Sequence, residues 1–173
     1  CIEGIYSIKP GTVLKLYGTV ADESRWWNTL NSLTYVPNKY EDQVDQFRNL
    51  FLNAVKIRMR SDVPIGTALS GGLDSSAVFC SMLHLIKNGE TSSFLPRAFT
   101  AHYPGSDIDE LDWARLAVGD KQELLNVVEV NPLDSKHTLE KALYQVEDPY
   151  ITLPHPMFAT YKAIKKSGIS VTL

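Results

Sequence analysis

No stretch of this 173-residue chain is apolar for the ~20 residues that a membrane-spanning helix needs, so no membrane partner is expected. Its first residues do not form the basic-then-apolar leader of a secreted protein, and the expectation is a cytoplasmic one. Basic charge is also scarce. Lys and Arg number 17 against 20 Asp and Glu, the net charge is −3, and the signs are interspersed. A nucleic-acid backbone would find little electrostatic support there, which argues against such a partner. There are only two cysteines, Cys1 and Cys80, far apart in sequence. Cys80 sits in an apolar helical pattern and is expected to be a buried free thiol rather than half of a disulfide. The four histidines, His84, His102, His137 and His155, show no metal-ligand spacing. Internal repeats and low-complexity tracts are missing too, and so is any G-x-x-x-x-G-K-[ST] loop.

What is present is enough apolar material, 44% of residues, for one good core and an appended piece. Residues 2–27 hold two β-like runs, "IEGIYSI" and "TVLKLYG", with Pro10-Gly11 as a turn between them, and end in "SRWW". They read as the edge of a sheet. Pro37-Asn38 then opens a helical stretch to about Arg60, with Val44, Phe47, Leu50, Phe51, Ala54 and Ile57 as one apolar stripe. From Pro64 strand and helix alternate: "IGTALS", a helix over about Leu73 to Lys87, "RAFTAHY", a helix over about Asp109 to Gln122, and "LLNVVEV". Two more helices, near Ser135 to Gln145 and Met157 to Ser167, precede a short strand in "ISVTL". This order implies βαβ units and a parallel sheet. Met and aromatic residues at helical spacing are expected to be core packing.

One junction asks for chemistry. In "IGTALSGGLDSSAVFC" an apolar strand stops at Ser70, Gly71 and Gly72 and restarts as a helix with Asp74, Ser75 and Ser76 in its first turn. Such a junction sets unpaired N–H groups and the positive end of a helix dipole at the carboxyl edge of the sheet, where an anion is stabilised. Gly71 and Gly72 let backbone approach that anion without a Cβ in the way, while Ser70, Ser75 and Ser76 can add hydroxyl donors. Asp74 would repel a phosphate unless a cation lay between them, and Mg²⁺ is the natural bridge. The loop therefore asks for Mg²⁺ and a polyphosphate. Without a lysine it suits holding a departing pyrophosphate better than γ-phosphoryl transfer.

"SGGLDSS" resembles the pyrophosphate loop of the ATP-pyrophosphatase superfamily, and "RMRSDVPIGTALSGGLDSSAVFC" is similar to the synthetase domain of glutamine-hydrolysing asparagine synthetases. Likeness extends to "AFTAHYPGSDIDELDWA", to "VEDPYITLPHPMFATYKAIKKSGISVTL", and to "GIYSIKPGTVLKL" followed by "RWW". The resemblance implies an α/β, Rossmann-like domain of the adenine nucleotide alpha hydrolase type with a short N-terminal β remnant. Residues 1–36 would be the end of a glutaminase-like domain and its linker, and 37–173 a partial synthetase domain.

By the same resemblance, Ser70, Gly71, Gly72, Asp74, Ser75 and Ser76 would bind the β- and γ-phosphates of ATP, with Asp74 as the Mg²⁺ ligand. Backbone groups of Ala68 or Leu69, and of Ala101, would face the adenine. Glu147 and Asp148 are the candidate catalytic acids, their alternative being exposed helix-end acids before Pro149. The implied reaction adenylates the aspartate side-chain carboxylate, releases pyrophosphate, and takes ammonia from glutamine. A homodimer stays open. The chain is expected to be a fragment without the full active site. Cys1 leads directly into sequence like the end of the glutaminase domain, too late for a nucleophile role, and Leu173 precedes the family's second glycine-rich motif. Two rivals remain: a related adenylating enzyme, such as a β-lactam synthetase or lasso-peptide cyclase, and a non-catalytic nucleotide-binding fragment.

Overall fold

A computed structural model describes residues 3–91, 94–131, 135–147 and 154–173. The chain divides into two compact units, Cys1–Asp45 and Gln46–Leu173.

In the first unit, strand β1 (Thr12–Tyr17) pairs antiparallel with β2 (Val20–Arg25), in register from Thr12↔Arg25 to Tyr17↔Val20. The connecting loop is Gly18-Thr19. Gly18 has φ +61, as the first central residue of a primed hairpin turn requires. Of the two expected β-like runs only "TVLKLYG" is a strand: residues 5–8 of "IEGIYSI" are irregular, and the strand's partner is "VADESR", which is too charged to show a strand pattern. None of the described residues in this unit is buried.

Helix α1 (Tyr40–Arg58) begins with Glu41 and Asp42 and ends with Lys56 and Arg58, complementing its dipole at both ends. Its expected stripe is not its buried one. Phe47, Leu50 and Ile57 are exposed, whereas Val55 and Met59 are buried, with Phe51 packed against the same cluster. Residues 51, 55 and 59 follow four-residue spacing and select the inward face.

The second unit is built on a parallel sheet in the order β5-β4-β3-β6. The strands are β3 (Ile65–Ala68), β4 (Arg97–His102), β5 (Leu125–Glu129) and β6 (Val171–Thr172). Helix α2 (Leu73–Lys87) links β3 to β4, and α3 (Leu111–Val118) links β4 to β5. Helices α4 (Ser135–Val146) and α5 (Pro154–Lys166) return the chain to β6. The fold class expected from sequence, α/β with a parallel sheet, is the one observed. Helix α3 is shorter than its pattern, because Gly119 leaves the helix at φ +58 and Gln122 Nε2 donates to the carbonyls of Arg115 and Gly119 at 2.9 and 2.6 Å.

Alternation along β4 shows helices on both faces of the sheet. Ala98 packs in a cluster with Phe79 of α2 and Ala114 and Val118 of α3, while its neighbour Phe99 packs with Ile164 of α5 and Ile169. Phe79, Met82 and Leu85 form the buried face of α2, each fully buried side chain contributing about 1.5–3 kcal/mol. Cys80, one residue on from Phe79, turns outward; it is free and exposed, not buried as expected, with Sγ 3.6 Å from the Ala117 carbonyl oxygen. Trp113 and Tyr144 are likewise exposed rather than core.

Candidate functional site

Strand order reverses beside β3, whose two neighbours are β4 and β6. The carboxyl end of a strand at such a switch point is where open α/β sheets bind ligands. Two hydrogen bonds fix that end: Leu69 N donates to Phe99 O at 2.8 Å, and Thr100 Oγ1 donates to Leu69 O at 2.5 Å.

The loop that follows is held by its own serines. Gly72 N donates to Ser70 Oγ at 3.3 Å, and Ser75 Oγ donates to Gly72 O at 3.3 Å. Ser70 Oγ and Ser75 Oγ lie 3.1 Å apart. Since the Ser75 proton is engaged by Gly72 O, Ser70 donates in that pair. Ser76 N donates to Gly72 O at 3.0 Å, but Ser76 Oγ is buried with no partner. A buried hydroxyl left unsatisfied is costly, and here it sits in the first turn of a helix at a strand end.

The two glycines do different work. Gly71 has φ +80, and a Cβ there would meet Ala114 N at 2.5 Å and Trp113 Cβ, so the fold itself demands glycine. At Gly72, with φ −66, a Cβ would meet only Ser70 Oγ, at 3.3 Å. Gly72 thus has open space where Gly71 is packed against α3. Asp74 lies exposed in the same turn. Among the described residues no three His, Cys, Asp or Glu side chains gather to hold a metal.

Beside the loop lies a cavity of about 320 Å³. Its floor is Ala68, Leu69 and Ser70 from the end of β3 with Phe99 and Ala101 of β4; Met157, Thr160 and Tyr161 of α5 form one wall, Tyr103 and Glu110 another. The structure thus brings together Ala68, Leu69, Ser70 and Ala101, with Gly71, Gly72, Asp74, Ser75 and Ser76 in the adjoining loop. Glu147 is not among the lining residues; it is exposed at the end of α4 with φ +54. Asp148 lies outside the described residues.

Sequence patterns missed Tyr103, Glu110, Met157, Thr160 and Tyr161, whose only common feature is their place around this cavity. The wall between β4 and α3 is fastened by Asp109. Its Oδ1 accepts from Tyr103 N at 3.1 Å and its Oδ2 pairs with His102 Nδ1 at 2.8 Å. Partial burial pushes the Asp109 carboxyl up, but the Tyr103 N–H, His102 and the Leu111 N–H outweigh it and hold the group below the usual range. Burial raises the Tyr103 phenol, as do the charges of Glu110 and Asp109. Seven residues apart in the chain, His102 and Asp109 gave no motif by which to find them.

A parallel sheet with a serine-glycine loop and an adjoining cavity at its switch point defines an α/β domain with a candidate ligand site at its strand ends. Residues 46–173 match the asparagine synthase family, and the chain belongs to it. It is similar to the amidase chry2 of Gibberella zeae, 36% identical over 129 residues, covering 65% of this chain and 18% of that protein. It also resembles the amidase chyE of Penicillium rubens, 27% identical over 99% of this chain and 27% of the relative. To asparagine synthetase [glutamine-hydrolyzing] 3 of Arabidopsis thaliana it is 30% identical over 86% of this chain and 26% of that protein. The chain thus spans under a third of the length of these curated relatives.

Proposed function

We propose that this chain is the nucleotide-holding part of an ATP-dependent, amide-forming synthetase of the asparagine synthetase kind. The observation that carries this is Ser70, which both lines the cavity and anchors the loop. A molecule with its base in the cavity would have its phosphates on the loop. Ser76 Oγ, lacking a protein partner, gains one when a phosphate oxygen arrives. Gly72 admits the phosphate to the backbone at the positive end of α2. Mg²⁺ is bound through one or two carboxylates plus substrate phosphates, so the single Asp74 fits it and would hold it, the ion supplying charge neutralisation of the polyphosphate. In this reading residues 1–36 are the end of a glutaminase-like domain and its linker, and Glu147 and Asp148 serve the acceptor.

The chemistry proposed for the whole protein is adenylation. A carboxylate oxygen of aspartate attacks the α-phosphorus, the bond to pyrophosphate breaks, and ammonia then displaces AMP from the acyl carbon. The residues described here contribute position and charge stabilisation. A second acceptor stays in play, a carboxylate other than aspartate, because the relatives named amidases include one at 36% identity. Hydrolysis of an amide by this loop itself has no support: the described bonds of Ser70 and Ser75 run to each other and to Gly72, with no base among them.

Calorimetric titration with ATP tests the proposal. Binding should strengthen with Mg²⁺, Asp74→Asn should remove that dependence, and Ser76→Ala should weaken ATP about ten-fold with no loss of thermal stability. Equal affinity with and without Mg²⁺ in both the wild type and Asp74→Asn would dismiss the role given to Asp74.

A further inference from the structure

Thr160 stands on the inner wall of the cavity, on α5, and is only 6% exposed. It has no hydrogen-bond partner among the described residues, not even the carbonyl one turn earlier that a helical threonine commonly takes. A threonine this deeply buried normally spends its hydroxyl on the protein. Thr67 and Thr100, the other buried threonines among the described residues, do so, donating to Leu173 O at 2.9 Å and to Leu69 O at 2.5 Å. Thr160 instead faces the space floored by Ala68, Leu69 and Phe99.

The same cavity contains no lysine or arginine among its described lining residues and does contain Glu110. A phosphate chain would find repulsion there, whereas the polar edge of a neutral ring would find apolar walls and a few placed polar groups, the usual make-up of a small-molecule pocket. We propose that Thr160 is a specificity-determining residue of this chain, its hydroxyl held unpaired in the free protein to hydrogen-bond the nucleoside portion of the bound nucleotide. The inference rests on the nucleotide reading above. It adds a hydroxyl contact to the wall that α5 already forms with Met157 and Tyr161.

A hydroxyl that opens on the cavity without a protein partner has two different consequences. In the free protein the fold does not depend on it, so its isosteric removal should not destabilise the protein; in the complex it is a missing bond. Thr160→Val, Thr160→Ser and the wild type should therefore be compared by calorimetry with ATP·Mg²⁺ and with inorganic tripolyphosphate·Mg²⁺, and by thermal unfolding without ligand. The expected result is about ten-fold weaker ATP binding by Thr160→Val, unchanged tripolyphosphate binding, near-wild-type behaviour of Thr160→Ser, and a Tm for Thr160→Val at or above that of the wild type. Thr160→Val that binds ATP like the wild type, loses ATP and tripolyphosphate equally, or melts well below the wild type would overturn the assignment while leaving the loop's role intact. A wild type that binds neither ligand would overturn the nucleotide reading itself.

Discussion

The hairpin of the first unit and the parallel sheet of the second obey different rules of stability. Every residue of β2 is exposed, and in β1 only Thr12 is even half-buried, so the pair rests on cross-strand hydrogen bonds and side-chain neighbours. In β3 and β4 the central residues are buried, packed by helices on both faces. Apolar side chains alone do not make a core: Leu16 and Val20 are as apolar as Leu69 or Ile65, yet exposed. What matters is whether another layer is there to take them.

The sharpest way to break this contrast is to truncate one side chain in each unit. Phe79→Ala leaves a cavity between α2 and α3 and should cost about 3–5 kcal/mol by denaturant unfolding, whereas Leu16→Ala should stay within about 0.5 kcal/mol. Equal losses would mean that the hairpin carries core energy of its own. Within the second unit, Gly71→Ala should cost about 2–5 kcal/mol, from the left-handed backbone and the collision with α3 together. Gly72→Ala should cost about 0.5 kcal/mol and act on ATP affinity instead. If Gly72→Ala unfolds the protein as readily, the separation of turn glycine from ligand glycine fails.

The smallest effect concerns acid. Because Asp109 in the folded protein titrates below its ordinary value of 3.8, its contribution is complete above that value and is lost as pH falls through the lower, folded one. Asp109→Asn should flatten the acid limb of the unfolding profile below about pH 4 relative to wild type. Glu23→Gln, which breaks only the exposed 3.6 Å pair with Lys9 in the hairpin, should leave that limb unchanged. Superimposable profiles for Asp109→Asn and wild type would show that the His102–Asp109 fastening adds nothing to the fold.

These contrasts also mark what the sequence could convey. Helix α2 was legible to the residue, Leu73 to Lys87, because glycine before it and a polar Asn88 after it bracket a local pattern. The phosphate-loop candidates were legible for the same reason: Ser70 to Ser76 are neighbours in the chain before they are neighbours in space. Strand β2 was not, since Asp22, Glu23 and Arg25 carry no buried face and only the Gly18 turn betrays the pairing. On α1 the expected stripe shares Phe51 with the inward face, but the packing partner takes Val55 and Met59 rather than Phe47, Leu50 and Ile57. The α5 wall was invisible because Thr160 and Leu69 come to line one cavity only through the tertiary fold.

The position of β6 has a kinetic meaning. Strand β3 meets β4 through one helical crossover, but it meets the segment after α5 across a sequence separation of 106 residues, where Thr67 bonds Leu173. Closing so long a loop costs entropy that only the finished contacts repay, so this pairing is expected late on the folding pathway. Helix α5, which precedes β6, walls the cavity, and the candidate site is therefore expected to mature with the last elements to dock. A nucleotide that engages only the completed site would act as a latch, slowing escape from the native state rather than hastening arrival at it.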